Sequence, residues 1–224
     1  MTTVVEPSYR KRVGYQGGLL GMFATLAAAL IVGGDIATHD AIEQRKAEDL
    51  QYSLGQVIPA VIHDNNLLDD KLVLQHQGKD VVVYRALKGP EVTAVAYGVS
   101  EQGYSGEISL IMGVNRSGEI IGVRIIAHTE TPGLGDKIEV EKDDWVYSFD
   151  GLSFDKLPEQ KWAVKKDGGV FDQFSGATIT PRAVVRAVKQ GLVLFSEYRV
   201  VLLAGEPEQQ ADDDMTAKTA APEK

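Results

Sequence analysis

Hydroxyl side chains near the C-terminus are the residues best suited to chemistry in this chain. Residues 172–178 read Asp-Gln-Phe-Ser-Gly-Ala-Thr and run directly into Ile179, Thr180 and Pro181. Thr180 is a suitable helix N-cap and Pro181 is favoured at the first helical position, so Thr178 is predicted to lie just before a helix. Unpaired backbone N–H groups and the positive end of the helix dipole would face it. An anionic phosphate would be stabilised at such a place.

The run at 172–178 also resembles a known modification site. In the FMN-binding subunits of the Rnf and Nqr respiratory complexes, an Asp-x-x-Ser-Gly-Ala-Thr motif presents a threonine to a flavin transferase, which joins the hydroxyl to FMN through a phosphoester. The resemblance implies covalent FMN at Thr178, with Ser175 and Thr180 as alternative acceptors. Taken alone, the same run is typical of an ordinary turn and helix cap.

The resemblance covers roughly residues 85–200, because three further segments match that family in the same order. These segments are Gly103-Tyr104-Ser105-Gly106, the run from His128 to Gly135, and the spacing of Trp145, Phe149 and Gly151. The aromatic side chains of the last segment are expected to fill the core rather than to face a ligand. The chain is therefore similar to the family of FMN-binding G subunits of Rnf-type complexes, which are related to the C subunits of Nqr complexes.

The loop at 130–135 is the second part of the predicted flavin site. Thr131 to Leu134 has proline at the second position and glycine at the third, as a type II turn requires, so a planar ring could approach its backbone closely. An ordinary loop is the alternative for this sequence. The resemblance assigns apolar contact to Leu134 and polar contact to Glu130 or to backbone amides. By resemblance, the pocket residues are Glu130, Thr131, Gly133, Leu134 and Gly135 from this loop, and Ser175, Gly176, Ala177, Thr178 and Thr180 from the first run.

The function implied by this resemblance is electron transfer by a bound flavin. No set of acid and base residues suggests a substrate pocket, so the flavin would carry the redox chemistry and the protein would orient it. The resemblance implies a membrane-anchored subunit of a redox-driven ion translocase of the Rnf type, without catalytic activity of its own, with the other membrane subunits and the flavin transferase as partners. The alternatives are the equivalent C subunit of a Na⁺-translocating NADH:quinone reductase and, from a different class, a cofactor-free extracytoplasmic binding module.

Composition excludes several other classes of protein. With 224 residues the chain is long enough for one domain plus appendages. Its formal net charge of −9, and the lack of clustered Lys and Arg beyond Arg10, Lys11 and Arg12, argue against nucleic-acid binding. There is no cysteine, so disulfides, iron–sulfur clusters and thiolate metal sites are excluded. No metal site is predicted, because the four histidines lack the spacing of a helical pair of ligands.

An apolar segment near the N-terminus predicts a membrane anchor. Residues 13–34 contain no charged side chain. At about 1.5 Å per residue they would reach roughly 33 Å, against a hydrocarbon core of about 30 Å. Basic residues flank the N-terminal side, so the positive-inside rule places residues 1–12 in the cytoplasm and the remainder on the periplasmic side of a bacterial inner membrane. A cleaved signal peptide is the alternative.

The whole pattern predicts an α+β fold: a single N-terminal transmembrane helix followed by a mainly antiparallel-sheet FMN-binding domain with flanking helices. Residues 35–80 are predicted to form a connecting helix, at 36–58, and loops. Residues 81–205 are predicted to form the FMN-binding domain, which ends with a helix at about 181–199 that packs on the sheet. Residues 206–224 are predicted to form a disordered acidic tail. The predicted strands are 81–87, 92–99, 107–114 and 119–127.

Overall fold

The computed structural model describes residues 13–204. Contacts divide the chain into two units, of which the first ends at Leu50 and the second begins at Gln51. The predicted cytoplasmic segment 1–12 and the predicted acidic tail 206–224 lie outside the described residues.

Helix α1 spans Val13–Val57, a length of 45 residues. It is continuous at residue 35, where the sequence analysis separated a membrane helix from a connecting helix. The glycines at 33 and 34 do not interrupt it, because a glycine costs a helix only about 1 kcal/mol and no proline occurs between residues 13 and 58. By length and composition, α1 is the one helix among residues 13–204 that could cross a membrane.

A five-stranded antiparallel sheet forms the centre of the second unit, with its strands side by side in chain order. The strands are β1 Lys71–His76, β2 Lys79–Lys88, β3 Glu91–Gln102, β4 Glu107–Asn115 and β5 Ile120–Ala127. Gln77 and Gly78 both have positive φ, as the type I′ turn between β1 and β2 requires, and Gly89 has positive φ in the next turn. Asn115 closes the turn between β4 and β5 by accepting a hydrogen bond from the backbone N–H of Ser117.

The four predicted strands correspond to β2, β3, β4 and β5, and the predicted fold class is confirmed. The sheet begins earlier than predicted, because β1 lies within residues 35–80, which the sequence analysis assigned to a connecting helix and loops. β1 is an edge strand in which Leu74 is the only buried residue. Its burial alternates along the strand, but the exposed Val73 lies between Leu72 and Leu74, so the sequence does not alternate between apolar and polar residues as a predicted strand does.

Helix α2 spans Ile179–Leu203 and packs on one face of the sheet. Gly191 allows a close approach: a Cβ there would lie 2.1 Å from Sδ of Met112, and the Gly191 carbonyl accepts a 2.8 Å hydrogen bond from the buried Tyr97 hydroxyl. Alternate residues of a strand point to opposite faces, so Gly113 faces the other side. There it meets the end of α1, since a Cβ on Gly113 would lie 2.3 Å from the carbonyl oxygen of Val57.

Residues 128–178 connect β5 to α2 through short 3-10 helices and turns. Five buried aromatic side chains hold this segment, and we call them the aromatic cluster: Trp145, Phe149, Trp162, Phe171 and Phe174. Phe149 is central, because its ring centroid lies 4.6 Å from that of Phe171 and 5.3 Å from that of Trp145. The prediction that this aromatic segment fills the core is confirmed for Trp145 and Phe149, whereas Tyr147 is 42% exposed.

Candidate functional site

Helix α2 begins earlier in the chain than the sequence analysis predicted. Thr178 is its N-cap, Ile179 is its first residue, and Thr180 and Pro181 lie inside the helix. The prediction of Thr180 as N-cap and Pro181 as first residue is therefore wrong. Thr180 is fully buried, and its hydroxyl donates a hydrogen bond to the carboxylate of Glu130, 50 residues away in sequence. A tertiary hydrogen bond thus replaces the local capping bond that the sequence favours.

Thr178 occupies the helix end with a hydroxyl that makes no capping hydrogen bond. The side chain is partly buried, and Gly176, with a φ of 85°, turns the chain into the helix just before it. The first N–H groups of a helix have no acceptor within the helix, and here those of Ile179 and Thr180 are of this kind, whereas Pro181 has no N–H to offer. The helix end therefore presents a hydroxyl and two donors to an anion.

The carboxylate of Glu130 joins three separate segments of the chain. One oxygen, Oε1, accepts hydrogen bonds of 2.9 Å and 3.0 Å from the backbone N–H groups of Tyr104 and Ser105. The other oxygen, Oε2, accepts the hydrogen bond from Thr180. Glu130 is only 5% exposed. Because both oxygens are engaged, this side chain positions the turn at 103–106 and the start of α2 relative to its own loop; we call this set of hydrogen bonds the Glu130 clamp.

Three glycines of the recognised motifs leave room for the Glu130 clamp. A Cβ on Gly103 would lie 2.5 Å from Oε1 of Glu130. A Cβ on Gly135 would lie 2.9 Å from Cβ of Glu130 and 3.0 Å from Oγ1 of Thr180. On the far side of the turn, a Cβ on Gly106 would lie 2.3 Å from Oγ1 of Thr129. Gly103 and Gly135 thus allow close packing around Glu130, and Gly106 allows close packing against the neighbouring Thr129.

His128 and Asp136 hold the loop that carries Glu130. The backbone N–H of Glu130 donates to Nδ1 of His128 at 3.1 Å, so Nδ1 is the acceptor nitrogen. The proton is therefore assigned to Nε2, which donates to the carboxylate of Glu139 at 2.7 Å. The backbone N–H of Gly133 donates to the carboxylate of Asp136, and this bond, followed by the charge of Lys142, holds the pKa of Asp136 below its usual value. The loop is therefore fixed by polar bonds at both ends.

A cavity of about 410 Å³ lies between this loop and the start of α2. The structure brings together eight of the ten predicted pocket residues around it, while Gly133 and Ser175 do not line it. Tyr104 and Ile179 also line it and were not predicted as site residues. The complete lining is Tyr104, Glu130, Thr131, Leu134, Gly135, Gly176, Ala177, Thr178, Ile179 and Thr180.

The two residues missed by the sequence analysis both place exposed apolar surface at the cavity wall. Tyr104 is 69% exposed and Ile179 is 43% exposed, beside Leu134 at 44%. For Tyr104 a signal existed, since an aromatic residue between two glycines in a recognised motif is presented on a turn. For Ile179 there was none, because its position depends on where α2 begins.

The cavity fits a flavin phosphate by its chemistry. Its volume falls within the range of about 300–1,000 Å³ typical of small-molecule sites. Apolar side chains at the wall suit a planar aromatic ring, and the N-cap hydroxyl with its neighbouring N–H groups suits a phosphate. Within residues 13–204 no group of acidic or histidine side chains is arranged to hold a metal ion.

Residues 103–193 match the family of FMN-binding domains. The matched range begins at the turn that carries Tyr104 and ends within α2, so it contains every residue that lines the cavity. The fold and the site therefore define a protein with an FMN-binding domain.

Two relatives identify the family of the chain more narrowly. The G subunit of the ion-translocating oxidoreductase complex of Cereibacter sphaeroides is 48% identical over 192 residues, covering 85% of this chain and 88% of that protein. The G subunit of the same complex in Shewanella piezotolerans is 40% identical over 211 residues, covering 92% of this chain and 100% of that protein. The chain belongs to the family of G subunits of the ion-translocating oxidoreductase complex. The recognition of an Rnf-type G subunit from the motifs is confirmed.

A solved structure shares the fold at lower identity. The C subunit of the Na⁺-translocating NADH-quinone reductase from Parabacteroides distasonis is 17% identical, with a TM-score of 0.50, and the match covers 72% of this chain and 96% of that one. At this identity the likeness shows the fold alone. The alternative of an Nqr-type C subunit is thus supported only through the shared fold.

Proposed function

We propose that this chain is the subunit of an Rnf-type complex that holds FMN in a phosphoester to Thr178 and relays electrons while the complex translocates ions. The observation that carries the proposal is the position of Thr178. Its hydroxyl lies at the N-terminus of α2, makes no capping bond, and lines the cavity within the FMN-binding domain. A flavin transferase would find this hydroxyl available for phosphoester formation.

The residues of the chain would hold and orient the flavin. The N–H groups of Ile179 and Thr180 would face the phosphate, where the positive end of the helix dipole also stabilises negative charge. Leu134 would exclude water from the ring, and Gly176, which has no side chain, would allow the ring to approach the backbone. Bound FMN supplies the electron-transfer chemistry itself. We expect no catalytic activity from the isolated subunit.

Helix α1 is the proposed membrane anchor of the chain. The helix is long and apolar enough to cross a membrane, as an anchor in a membrane complex requires. Arg10, Lys11 and Arg12 precede it, so we propose that the N-terminus is cytoplasmic and that the cavity lies on the periplasmic side of the inner membrane. The other membrane subunits of the complex are the proposed redox partners.

Intact-mass measurement tests the covalent bond. The full chain, made in cells that contain the flavin transferase, should weigh more than its polypeptide by one FMN less one water. A peptide map should place the adduct on Thr178. Thr178→Ala should remove it, whereas Ser175→Ala, which changes an exposed hydroxyl outside the cavity lining, should keep it. A wild-type chain of unmodified mass would contradict the proposal.

Three further measurements test the remaining parts of the proposal. The chain has no cysteine, so a single cysteine at the exposed Ser117 can report sidedness. A membrane-impermeant maleimide should label it from the periplasm in spheroplasts; labelling only after lysis would contradict the orientation. Retention of residues 1–34 in the mature mass distinguishes an anchor from a cleaved signal peptide. Subunits that co-purify with the chain distinguish an Rnf-type from an Nqr-type complex.

A further inference from the structure

The turn at 103–106 forms a rigid platform at the edge of the cavity. The backbone N–H of Gly103 donates to the carbonyl of Gly106 at 2.8 Å, which closes the turn. The Glu130 clamp holds the next two N–H groups, those of Tyr104 and Ser105. Because the glycines at both ends have no space for a Cβ, the turn packs directly against residues 129 and 130. The turn that carries Tyr104 is therefore fixed by three hydrogen bonds.

The side chain of Tyr104 contrasts with this fixed backbone. It is 69% exposed, and within residues 13–204 it makes neither a hydrogen bond nor a ring contact. Three other tyrosines of the second unit have partners: Tyr97 donates to the carbonyl of Gly191, Tyr198 donates to that of Gln75, and the ring of Tyr147 lies 4.8 Å from the Arg124 guanidinium. Tyr52, at 71% exposed, is as open as Tyr104, but it lies on α1 and does not line the cavity. Tyr104 is thus a large aromatic side chain on a rigid turn without a partner in the described structure.

The position of Tyr104 indicates which kind of group its ring would contact. It lines the same cavity as Thr178, and Leu134 and Ile179 complete an exposed apolar rim. An aromatic ring gains most from contact with another planar ring, in an offset-stacked or edge-to-face arrangement. A rigid turn holds such a ring in place with little loss of backbone entropy on binding.

We propose that Tyr104 packs its ring against the isoalloxazine of the FMN carried by Thr178 and shields it from solvent. The inference rests on the proposed function, since it needs the flavin at Thr178. It adds a binding residue outside the two loops to which the sequence analysis assigned the pocket. Attachment would depend on Thr178, and shielding would depend on Tyr104.

Collisional quenching of flavin fluorescence by iodide tests the shielding. The full chain carrying one FMN per polypeptide, as verified by mass, would be titrated with iodide as wild type, Tyr104→Ala, Tyr104→Leu and Tyr104→Phe. Losing the ring should raise the bimolecular quenching constant, which is the Stern–Volmer constant divided by the fluorescence lifetime without iodide, at least two-fold in the Ala and Leu variants. The Phe variant retains a ring and should resemble the wild type. Tyr52→Ala is the matched control, because Tyr52 is 71% exposed but does not line the cavity.

The outcomes separate this inference from the proposed function. Fully loaded Tyr104→Ala and Tyr104→Leu proteins with wild-type quenching constants would overturn the role of Tyr104 and leave the bond to Thr178 intact. A rise of equal size in Tyr104→Phe would also overturn ring packing. A wild-type chain without the FMN mass would overturn both proposals. Because Tyr104 is mostly exposed, its substitution should not affect folding.

Discussion

Different interactions position the two ends of the run at 172–178. At its start the aromatic cluster surrounds it: the ring centroid of Phe174 lies 5.2 Å from that of Trp145, whose indole N–H donates to the carbonyl of Asp172 at 2.9 Å. Just past its end, Thr180 joins the Glu130 clamp through one hydroxyl. The start of the run packs in an apolar core, whereas its end is positioned by a few hydrogen bonds beside a cavity.

The difference separates stability from orientation. Burial of aromatic surface is non-directional and contributes in proportion to area, so the aromatic cluster determines where the run lies. Hydrogen bonds to a buried carboxylate are directional, so the Glu130 clamp determines how the start of α2, and with it Thr178, faces the cavity. Substitutions at the two ends should therefore have different effects on folding and on FMN incorporation.

The largest effect is expected in the aromatic cluster. Phe149→Ala should lower the free energy of unfolding by about 3–5 kcal/mol, because it leaves a cavity among three other rings. Urea unfolding of the full chain, followed by tryptophan fluorescence, measures this change. Tyr147→Ala, in the same short helix but 42% exposed, is the control and should cost much less. Equal losses in the two variants would show that the cluster is not the core of this segment.

The next effect is expected at the Glu130 clamp. Thr180→Val keeps the shape of the side chain but leaves Oε2 of Glu130 buried without its donor, which should cost about 1–3 kcal/mol of stability. FMN incorporation per folded molecule should fall more in this variant than in Phe149→Ala. Thr180→Ser retains the hydroxyl and should restore incorporation. If Thr180→Val incorporates FMN as the wild type does, the Glu130 clamp does not orient Thr178.

A smaller effect is expected from adding a methyl group beside the Glu130 clamp. Gly135→Ala would bring a Cβ to 2.9 Å from Cβ of Glu130 and 3.0 Å from Oγ1 of Thr180, so these neighbours would have to shift. We expect a loss of about 1–2 kcal/mol from this overpacking. Gly55→Ala is the control, since a Cβ there meets nothing within 4 Å and alanine favours the helix. Thermal unfolding of both variants should give melting temperatures that move in opposite directions.

The smallest effect is expected in the pH dependence of stability, through Asp136 in the loop that carries Glu130. The Gly133 N–H lowers the folded-state pKa of Asp136, so this group stabilises the fold above its unfolded pKa of about 3.9 and loses that contribution as pH falls through the lower folded value. Asp136→Asn should therefore be less stable than the wild type at pH 7, and the difference should shrink towards acid pH. Urea midpoints at several pH values measure it; a constant difference would contradict the assignment.

Much of the fold was predictable because its signals are local. Four strands, each with two or more buried residues, and an amphipathic closing helix were visible in the residue pattern. β1 was missed because an edge strand buries little. The segments predicted as a membrane helix at 13–34 and a connecting helix at 36–58 form one continuous helix, because glycines alone do not end a helix.

The site was predictable in part, because motif residues can be recognised without knowing their contacts. The motifs placed Thr178, Leu134 and Gly135 near one another, and the structure brings all three to one cavity. The structural role of Glu130 was not visible: the resemblance assigned a polar contact with the flavin to Glu130 or to backbone amides, and in the structure both Glu130 oxygens accept hydrogen bonds from the protein. Acceptors and donors 25 to 50 residues apart leave no pattern in the sequence.

By itself, the sequence determined the long apolar segment at 13–34, the antiparallel sheet, the family and the choice of Thr178 as the proposed attachment site, because each depends on residue types at short spacing. Only the tertiary structure decided where α2 begins, which oxygen Thr180 meets, and that Tyr104 stands beside Thr178. Local capping preferences contribute about 1 kcal/mol, and a buried carboxylate that needs its donors outweighs them. The same physical reason places Thr178 at the helix end with its hydroxyl available.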